Sequence, residues 1–271
     1  MLDGLEPDGR TRMPVPLLVG VGGRIRADEQ VRLLYRSIPP WEVVLRYGVP
    51  TACLVRSVLD AMRLASDERE ATVALDMVLA TRLVSPERIR AYAATHRTGG
   101  AEQERVDFAL SMCSEHMRSP NESRLHLVWR LDAGLPPVEP NRSVHSPTGR
   151  LLGIADLLDE TAGLAVEFDG ADHREGRRHT KDVRKQEAFF NHGLEVCRVT
   201  GDDLRHAEGV VQRLVAARTR ALRLERPRSW VLRPRGPSIE EELREQEDRR
   251  MLNWELETTP LPAIEELHGL P

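Results

Sequence analysis

The 271-residue chain is poor in aromatic residues, cysteine and lysine. Aromatic residues make up 4% of it, which gives little support to a surface that stacks unpaired bases. Cys53, Cys113 and Cys197 lie far apart and form no C-x-x-C pair, which argues against a zinc ribbon or a disulfide framework and favours a reducing compartment. The apolar stretch Val15 to Val21 is too short to cross a bilayer, and the acidic start does not resemble a signal peptide, so we expect a soluble cytoplasmic protein.

Charge is unevenly distributed along the chain. The net charge is −4, but residues 238–271 carry ten acids and three arginines, or −7, which leaves +3 for the rest. Of the 39 Lys and Arg residues only two are lysines, Lys181 and Lys185. These two could be chance survivors in an arginine-rich sequence, or they could be required because arginine replaces a compact ammonium donor poorly.

Periodicity and turn residues divide the chain into four parts. We predict a loose N-terminal segment (1–30), a mainly helical module (31–118), a mixed α/β domain (119–225) and an acidic, partly disordered tail or docking segment (226–271). In the helical module, short strands are predicted near residues 31–35 and 43–47, followed by four helices of which Thr51 caps the first. In the tail, Ser238 and Glu241 predict a short capped helix.

The α/β domain is predicted to run in the order helix, three strands, helix, strand, helix. It begins at a capping box with Ser119 as N-cap, Pro120 at the first helical position and Glu122 at the third. Thr180 is predicted to cap the second helix, and Asp202 or Asp203 to open the last one. The strands are predicted near residues 138–145, 151–158, 164–169 and 194–200.

The third of these strands carries two carboxylates on one face. Side chains alternate along a strand, so Glu167 and Asp169 project together, and two like charges on an apolar strand are usually made tolerable by a divalent cation. Residues 173–185 follow directly, with six Arg or Lys against two acids. A phosphate-rich partner is the natural complement of this basic segment.

These features together resemble a known nuclease core, the restriction-endonuclease-like PD-(D/E)XK superfamily. More narrowly, the chain resembles uncharacterised bacterial proteins with a domain like the very-short-patch-repair endonuclease, some of them related to antitoxin-like regulators of abortive infection. The resemblance covers about residues 119–222. The segments that carry it are Ser119-Pro-Asn-Glu-Ser-Arg124, Ala133-Gly-Leu-Pro136, Asp156-Leu157, Val166-Glu-Phe-Asp-Gly170 with His173, Asp182-Val-Arg184, and Gly193-Leu-Glu-Val-Cys-Arg-Val-Thr200.

The resemblance implies a metal-dependent endonuclease that acts on DNA with Mg²⁺ or Mn²⁺. Asp156 matches the first metal-binding acid and Glu167 the second, while the position of the family's lysine holds Asp169. Asp169 is then expected as a third metal ligand and His173 as a proton carrier. The residues expected to contact nucleic acid, all in the basic segment, are Arg177, Arg178, Lys181, Arg184 and Lys185.

Several alternatives stay open from the sequence. Asp159 competes with Asp156; Glu122 and Asp182 are explained by helix capping and the helix dipole, or they belong to the metal site. Longer members of the family that the chain resembles often begin with a winged-helix module, for which some 30 residues are too few; we expect the DNA-reading part to be absent or to be supplied by a partner protein. The alternative functions are a non-catalytic DNA-binding or toxin–antitoxin-type regulator, and an interaction module in which the acidic tail pairs with the basic segment.

Overall fold

A computed structural model describes residues 14–258 except 21, 27 and 171–175, and it leaves out the side chains of 176–182 and 252–258. Within that part the protein is a mixed α/β structure with nine α-helices and a mixed five-stranded sheet. None of the helices described there combines the length and the apolar character needed to cross a membrane.

Two small sheets precede the helical module. Strand β1 (Val15–Leu18) pairs in parallel with β2 (Val31–Leu34), and β3 (Val43–Arg46) pairs antiparallel with β4 (Val49–Ala52). The sequence predicted β2 and β3 but missed their partners. Thr51 lies in β4 and therefore does not cap the first helix, whose N-cap is Cys53 without a side-chain hydrogen bond.

The helical module contains four helices that form one apolar core. Their bounds are α1 (Leu54–Leu64), α2 (Glu68–Leu79), α3 (Pro86–Thr95) and α4 (Gly100–Met112). Asp67 and Ser85 cap α2 and α3 through their side chains, as the N-cap preference for short polar residues predicts. Leu59, Met62 and Leu75 are fully buried in the core of the module.

The α/β part follows the predicted order of elements. Helix α5 (Pro120–Leu127) begins at Ser119 and continues as a π-helical turn (Val128–Asp132). The remaining elements are β5 (Glu139–His145), β6 (Leu151–Asp159), β7 (Leu164–Asp169), α6 (Gly176–Asn191), β8 (Glu195–Thr200), α7 (Gly201–Leu204) and α8 (Ala207–Leu222). The predicted last helix is thus two helices, and α7 is capped by Thr200 with Asp203 as its reciprocal partner.

The sheet has the strand order β8-β7-β6-β5-β9, where β9 is the short strand Val231–Leu232. Strands β7 and β8 are parallel and the other neighbours are antiparallel. One face packs against α5 and α8 around Trp129, Leu157 and Leu214. The other face packs against α6 around Phe189, so the sheet is covered on both sides.

The helical module and the α/β part share packing across the predicted boundary at residue 118. Val73 and Met77 of α2 belong to the same buried cluster as Leu125 and Trp129. Two charged pairs cross the same boundary, Arg69 with Asp132 and Arg124 with Glu70.

The segment after α8 is more ordered than the sequence predicted, at least as far as residue 258. Strand β9 extends the sheet, and helix α9 (Ile239–Thr258) starts at the predicted Ser238–Glu241 cap but runs for 20 residues. Ile239 is fully buried in the core of the helical module. Four acids of α9 form ion pairs among the described residues: Glu240, Glu242 and Glu247 with Arg82 or Arg88 of that module, and Glu240 and Glu245 with arginines of the helix itself. These acids of the tail thus bind the helical module, and their pairing with the basic segment stays a prediction.

Candidate active site

Neighbouring strands place Asp156 and Glu167 side by side. Strands β6 and β7 pair up to Leu157 with Val166, and the next position on each strand is Asp156 and Glu167. At this position a side chain replaces the backbone as hydrogen-bond acceptor: the Phe168 amide donates to Asp156 Oδ2 over 2.7 Å. Asp156 therefore both ends the pairing of the two strands and stands next to Glu167.

Strand alternation points the Glu167 carboxylate at the α6 side of the sheet. Val166 packs into the core shared with α5 and α8, with Phe168 against it, whereas Ala165 packs with Phe189 of α6. Glu167 has the parity of Ala165 and therefore faces α6. Strand β6 departs from strict alternation near Asp156, because Ala155 and Leu158 both belong to the cluster of Phe189. Asp156 is close enough to Lys185 of α6 for that cation to lower its pKa.

Lys185 of α6 reaches this pair of carboxylates. Its ammonium forms an ion pair with Glu167 Oε2 and donates to the Ile154 carbonyl over 2.7 Å. The lysine stem crosses β6 at Gly153, where an added Cβ would lie 2.7 Å from Lys185 Cγ and 2.9 Å from Phe189 Cζ. A glycine in the middle of this strand thus makes room for the lysine.

Burial controls the ionisation of the two acids. Burial raises the pKa of Asp156, against the lowering effects of the Phe168 amide and of Lys185. Burial also raises the pKa of Glu167 to about 7; Lys185 lowers it and the nearby Asp156 raises it. Glu167 Oε1 is buried without a hydrogen-bond partner among the described atoms, so one acceptor of the pair is left open.

Asp169 does not join the two acids in a compact cluster. It is exposed, at the end of β7, opposite Thr200 of β8. In the described part of the chain no three His, Cys, Asp or Glu side chains are grouped to hold a metal ion. The structure therefore brings together two of the three predicted metal ligands, Asp156 and Glu167, and leaves the role of Asp169 a prediction.

Glu122 is held by hydrogen bonds near Asp156, whereas Asp159, the acid that competes with Asp156, is engaged elsewhere. Glu122 Oε2 accepts from the Asn141 amide over 2.6 Å and from the Arg118 backbone amide over 3.1 Å, while its carboxylate also raises the pKa of Asp156. Asp159 accepts from the Ala162 amide over 2.9 Å and from Arg218 Nε over 2.7 Å at the β6–β7 turn. Between Asp156 and Asp159, the structure thus places Asp156 beside Glu167.

The basic segment is only partly described. His173 lies outside the described residues, and so do the side chains of Arg177, Arg178, Lys181 and Asp182. Helix α6 begins at Gly176, four residues before the predicted cap Thr180, so Thr180 lies inside the helix. The Arg184 side chain is exposed, whereas Lys185 points inward to Glu167, which makes Lys185 a member of the site and more than a surface contact for phosphate.

Two further residues of the site were missed in the sequence. Gly153 could have been found, because an isolated glycine in a strand pattern indicates close approach of another group. Asn141 could not, since its role depends on a buried contact across the sheet: it has a φ of 47° and donates to both Glu122 and the His116 carbonyl. It fixes the carboxylate of Glu122 at the edge of the site.

Comparison of the chain with protein-family models, with curated proteins and with solved structures gives no match.

Proposed function

We propose that the protein is a metal-dependent nuclease that hydrolyses phosphodiester bonds in DNA, with a restriction-endonuclease-like core. The observation that carries the proposal is the partly buried pair Asp156 and Glu167 with the ammonium of Lys185 against it. Two adjacent, partly buried acids whose pKa values are raised are costly to hold together without a function.

The residues present fit a divalent cation. Mg²⁺ is commonly held by one or two carboxylates, with water and substrate phosphate completing its shell. Asp156 and Glu167 are the residues that would hold it, and Glu167 Oε1 is a buried acceptor without a described partner. When bound, such a cation lowers the pKa of a coordinated water and offsets the negative charge of the phosphate.

Lys185 supplies the positive charge that the family's lysine position lacks in this chain. An ammonium has three N–H donors, and the described contacts of Lys185 use one for Glu167 Oε2 and one for the Ile154 carbonyl. The third donor is left for a phosphate oxygen or for the attacking water. Lysine suits this position because its charge lies on a compact ammonium group, whereas the guanidinium group of arginine is planar and wider.

Hydrolysis needs one water whose oxygen bonds to phosphorus while the bond to the leaving oxygen breaks. The water gives up a proton to a base, and the leaving oxygen takes one up. We infer that Lys185 orients the water and neutralises charge on the phosphate. His173 remains our predicted proton carrier.

One observation favours a second candidate, a regulatory protein that binds DNA without cleaving it. Lys185 already neutralises Glu167, and the Phe168 amide already occupies one oxygen of Asp156. A site completed in this way could be stable without a metal ion. Such a protein would bind DNA in EDTA with salt-dependent affinity.

The test is cleavage of supercoiled and linear DNA by the purified protein with Mg²⁺, Mn²⁺ or EDTA. We expect metal-dependent cleavage that falls by at least about 100-fold in Glu167→Gln and in Lys185→Met, as is typical when a group that stabilises the transition state is removed. Glu195→Gln is the matched control, because Glu195 is also a strand glutamate in an ion pair, with Arg220 over 3.0 Å.

Circular dichroism and thermal unfolding would establish that each variant is folded. Equal loss of cleavage in Glu195→Gln would show that the assay reports stability and not the site. Absence of cleavage by the folded native protein with either metal, together with DNA binding in EDTA, would replace the nuclease proposal with the regulatory one.

A further inference from the structure

A groove lies beside the carboxylate pair, between the β5–β6 turn and helix α6. Its described lining comes from two elements: Arg150, Leu151 and Leu152 on one wall, and Arg184, Lys185 and Ala188 on the other. Lys185 belongs both to the groove and to the site, because its side chain leaves the groove over Gly153 to reach Glu167. The groove is therefore continuous with the proposed site.

The described part of the lining carries positive charge and no negative charge. Of the six lining residues that the structure describes, three are cations, and none is an acid or an aromatic residue. Arg150 and Arg184 are exposed, and neither guanidinium donates to a carboxylate or carbonyl in the part of the chain that the structure describes. Each wall of the groove thus combines cationic and apolar side chains.

Arginines of the nearby segment 226–235 behave differently. Arg228 donates to the Glu160 and Thr161 carbonyls, Arg233 to the Gly149 carbonyl, and Arg235 to the Pro140 carbonyl. These side chains fasten the C-terminal segment to the sheet. Arg150 and Arg184 perform no such structural task among the described residues, which leaves them available for a ligand.

The turn that presents Arg150 is held in a fixed conformation. The backbone amide of Ser146 donates to the Arg150 carbonyl over 2.8 Å, and the Arg150 amide donates to Ser146 Oγ over 3.1 Å. Gly149 has a φ of 87°, and its carbonyl accepts from Arg233 over 3.1 Å. A fixed turn reduces the conformational entropy lost on binding, so Arg150 is preorganised.

We propose that this groove binds the phosphate backbone of duplex DNA on one side of the cleaved bond, with Arg150 and Arg184 as its two phosphate contacts. The proposal rests on the proposed function. Leu152 lies four residues before Asp156, a separation of about 13 Å along a strand, so the groove would hold another phosphate of the same backbone and not the reacting one. The described lining has no aromatic residue on which an unpaired base could stack, which favours a duplex.

The experiment measures DNA binding apart from cleavage. Fluorescence anisotropy with a short labelled duplex is recorded in EDTA for Glu167→Gln, and for the same protein carrying Arg150→Ala, Arg184→Ala or both. Arg46→Ala is the matched control, since Arg46 is an exposed arginine on β3 in the helical module.

We expect each groove variant to weaken binding about tenfold, and the double variant about 100-fold. The dependence of log K on log salt should become shallower by about 0.9 for each arginine removed, because each phosphate contact releases counterions. Arg46→Ala should change neither quantity. Single-stranded DNA of the same length should bind no more tightly than the duplex. Adenosine monophosphate at a concentration equal to that of the duplex should not displace the duplex.

Unchanged affinity and unchanged salt slope in the double variant would overturn the groove proposal, even if metal-dependent cleavage establishes the nuclease. Displacement of the duplex by equal adenosine monophosphate would overturn it as well, because the groove would then be a site for a free nucleotide. If the double variant loses affinity and salt dependence while the native protein cleaves no DNA with either metal, that result would support the groove proposal and count against the nuclease proposal.

Discussion

Glu42 of the helical module and Glu167 of the sheet are both glutamates that are largely withdrawn from solvent next to a cation. The side chain of Glu42 is 5% exposed and pairs with Arg56 over 3.0 Å; the side chain of Glu167 is 13% exposed and pairs with Lys185. Their remaining contacts differ. Tyr92 Oη donates to Glu42 Oε1 over 2.6 Å, whereas Glu167 Oε1 has no partner among the described atoms.

The ionisation of the two glutamates follows their contacts. Burial would raise the pKa of Glu42, but the hydrogen bonds from Tyr92 and Arg56 outweigh it and the pKa is lowered. For Glu167, burial and the nearby Asp156 outweigh Lys185, and the pKa rises to about 7. A buried charge whose acceptors are all satisfied is explained by the fold, whereas one left incomplete beside a second acid calls for a ligand.

The largest effect is expected where Glu42 is neutralised. Glu42→Gln should lower the free energy of unfolding by about 3 kcal/mol at neutral pH, because it removes one partner of a buried ion pair and Arg56 keeps only Asp60. Chemical denaturation measures the loss. Cleavage of DNA per folded molecule should not change, since Glu42 belongs to the helical module.

The pH dependence of this effect has a definite sign. The pKa of Glu42 is lower in the folded state, so its contribution is present above the unfolded pKa near 4.5 and is lost as the pH falls through the folded value. Glu247→Gln is the control: its pair with Arg88 is half exposed and screened by solvent, so its loss should lower stability much less than the loss of Glu42. An equal loss in the two variants would mean that the buried cluster is not special.

Local patterns predicted those features of this chain that depend on neighbours in sequence. The cap at Ser119 follows from its side-chain oxygen and the amide three residues later. Strand alternation predicted that Glu167 and Asp169 share a face. The approach of Asp156 to Glu167 followed from the family resemblance and not from periodicity.

Features that depend on distant contacts were not predictable in this way. The basic segment indicated phosphate contacts for Lys185, but its pairing with Glu167 depends on how α6 lies across β6 at Gly153. The acid-rich tail indicated disorder, because composition does not show that Ile239 is buried in another part of the chain or that Glu240 meets Arg88. Such contacts are set by the packing of whole elements.

A second test concerns Asp76, a fully buried acid of α2 that has no paired cation among the described residues. The Ser114 amide donates to its Oδ1 over 2.7 Å, Oδ2 has no described partner, and burial raises its pKa to about 7. Asp76 shows that a raised pKa alone does not mark a site, since no second acid or lysine contacts it there. We expect Asp76→Asn to be more stable than the native protein by about 2 kcal/mol near pH 8.

The sign follows from proton binding. Between the unfolded pKa of 3.8 and the folded value of about 7, the folded state binds more protons, so native stability falls as the pH rises through this range. The gain from Asp76→Asn should therefore vanish near pH 4. Denaturation curves at several pH values measure it; a gain that does not depend on pH would show that Asp76 is not protonated in the fold.

The smallest effect is expected for Gly153→Ala. This substitution changes no charge, but it tests whether the position of Lys185 beside Glu167 matters, a contact that has no counterpart at Glu42. The added methyl of Gly153→Ala must displace Lys185 or Phe189, which should cost about 1–2 kcal/mol of stability and reduce cleavage about tenfold as the ammonium moves from Glu167. Gly209→Ala in α8 is the control, because a Cβ there meets nothing within 4 Å. Full cleavage by a destabilised Gly153→Ala protein would show that Lys185 serves packing. Reduced cleavage at temperatures where that variant is fully folded would show that the position of the ammonium matters to the reaction.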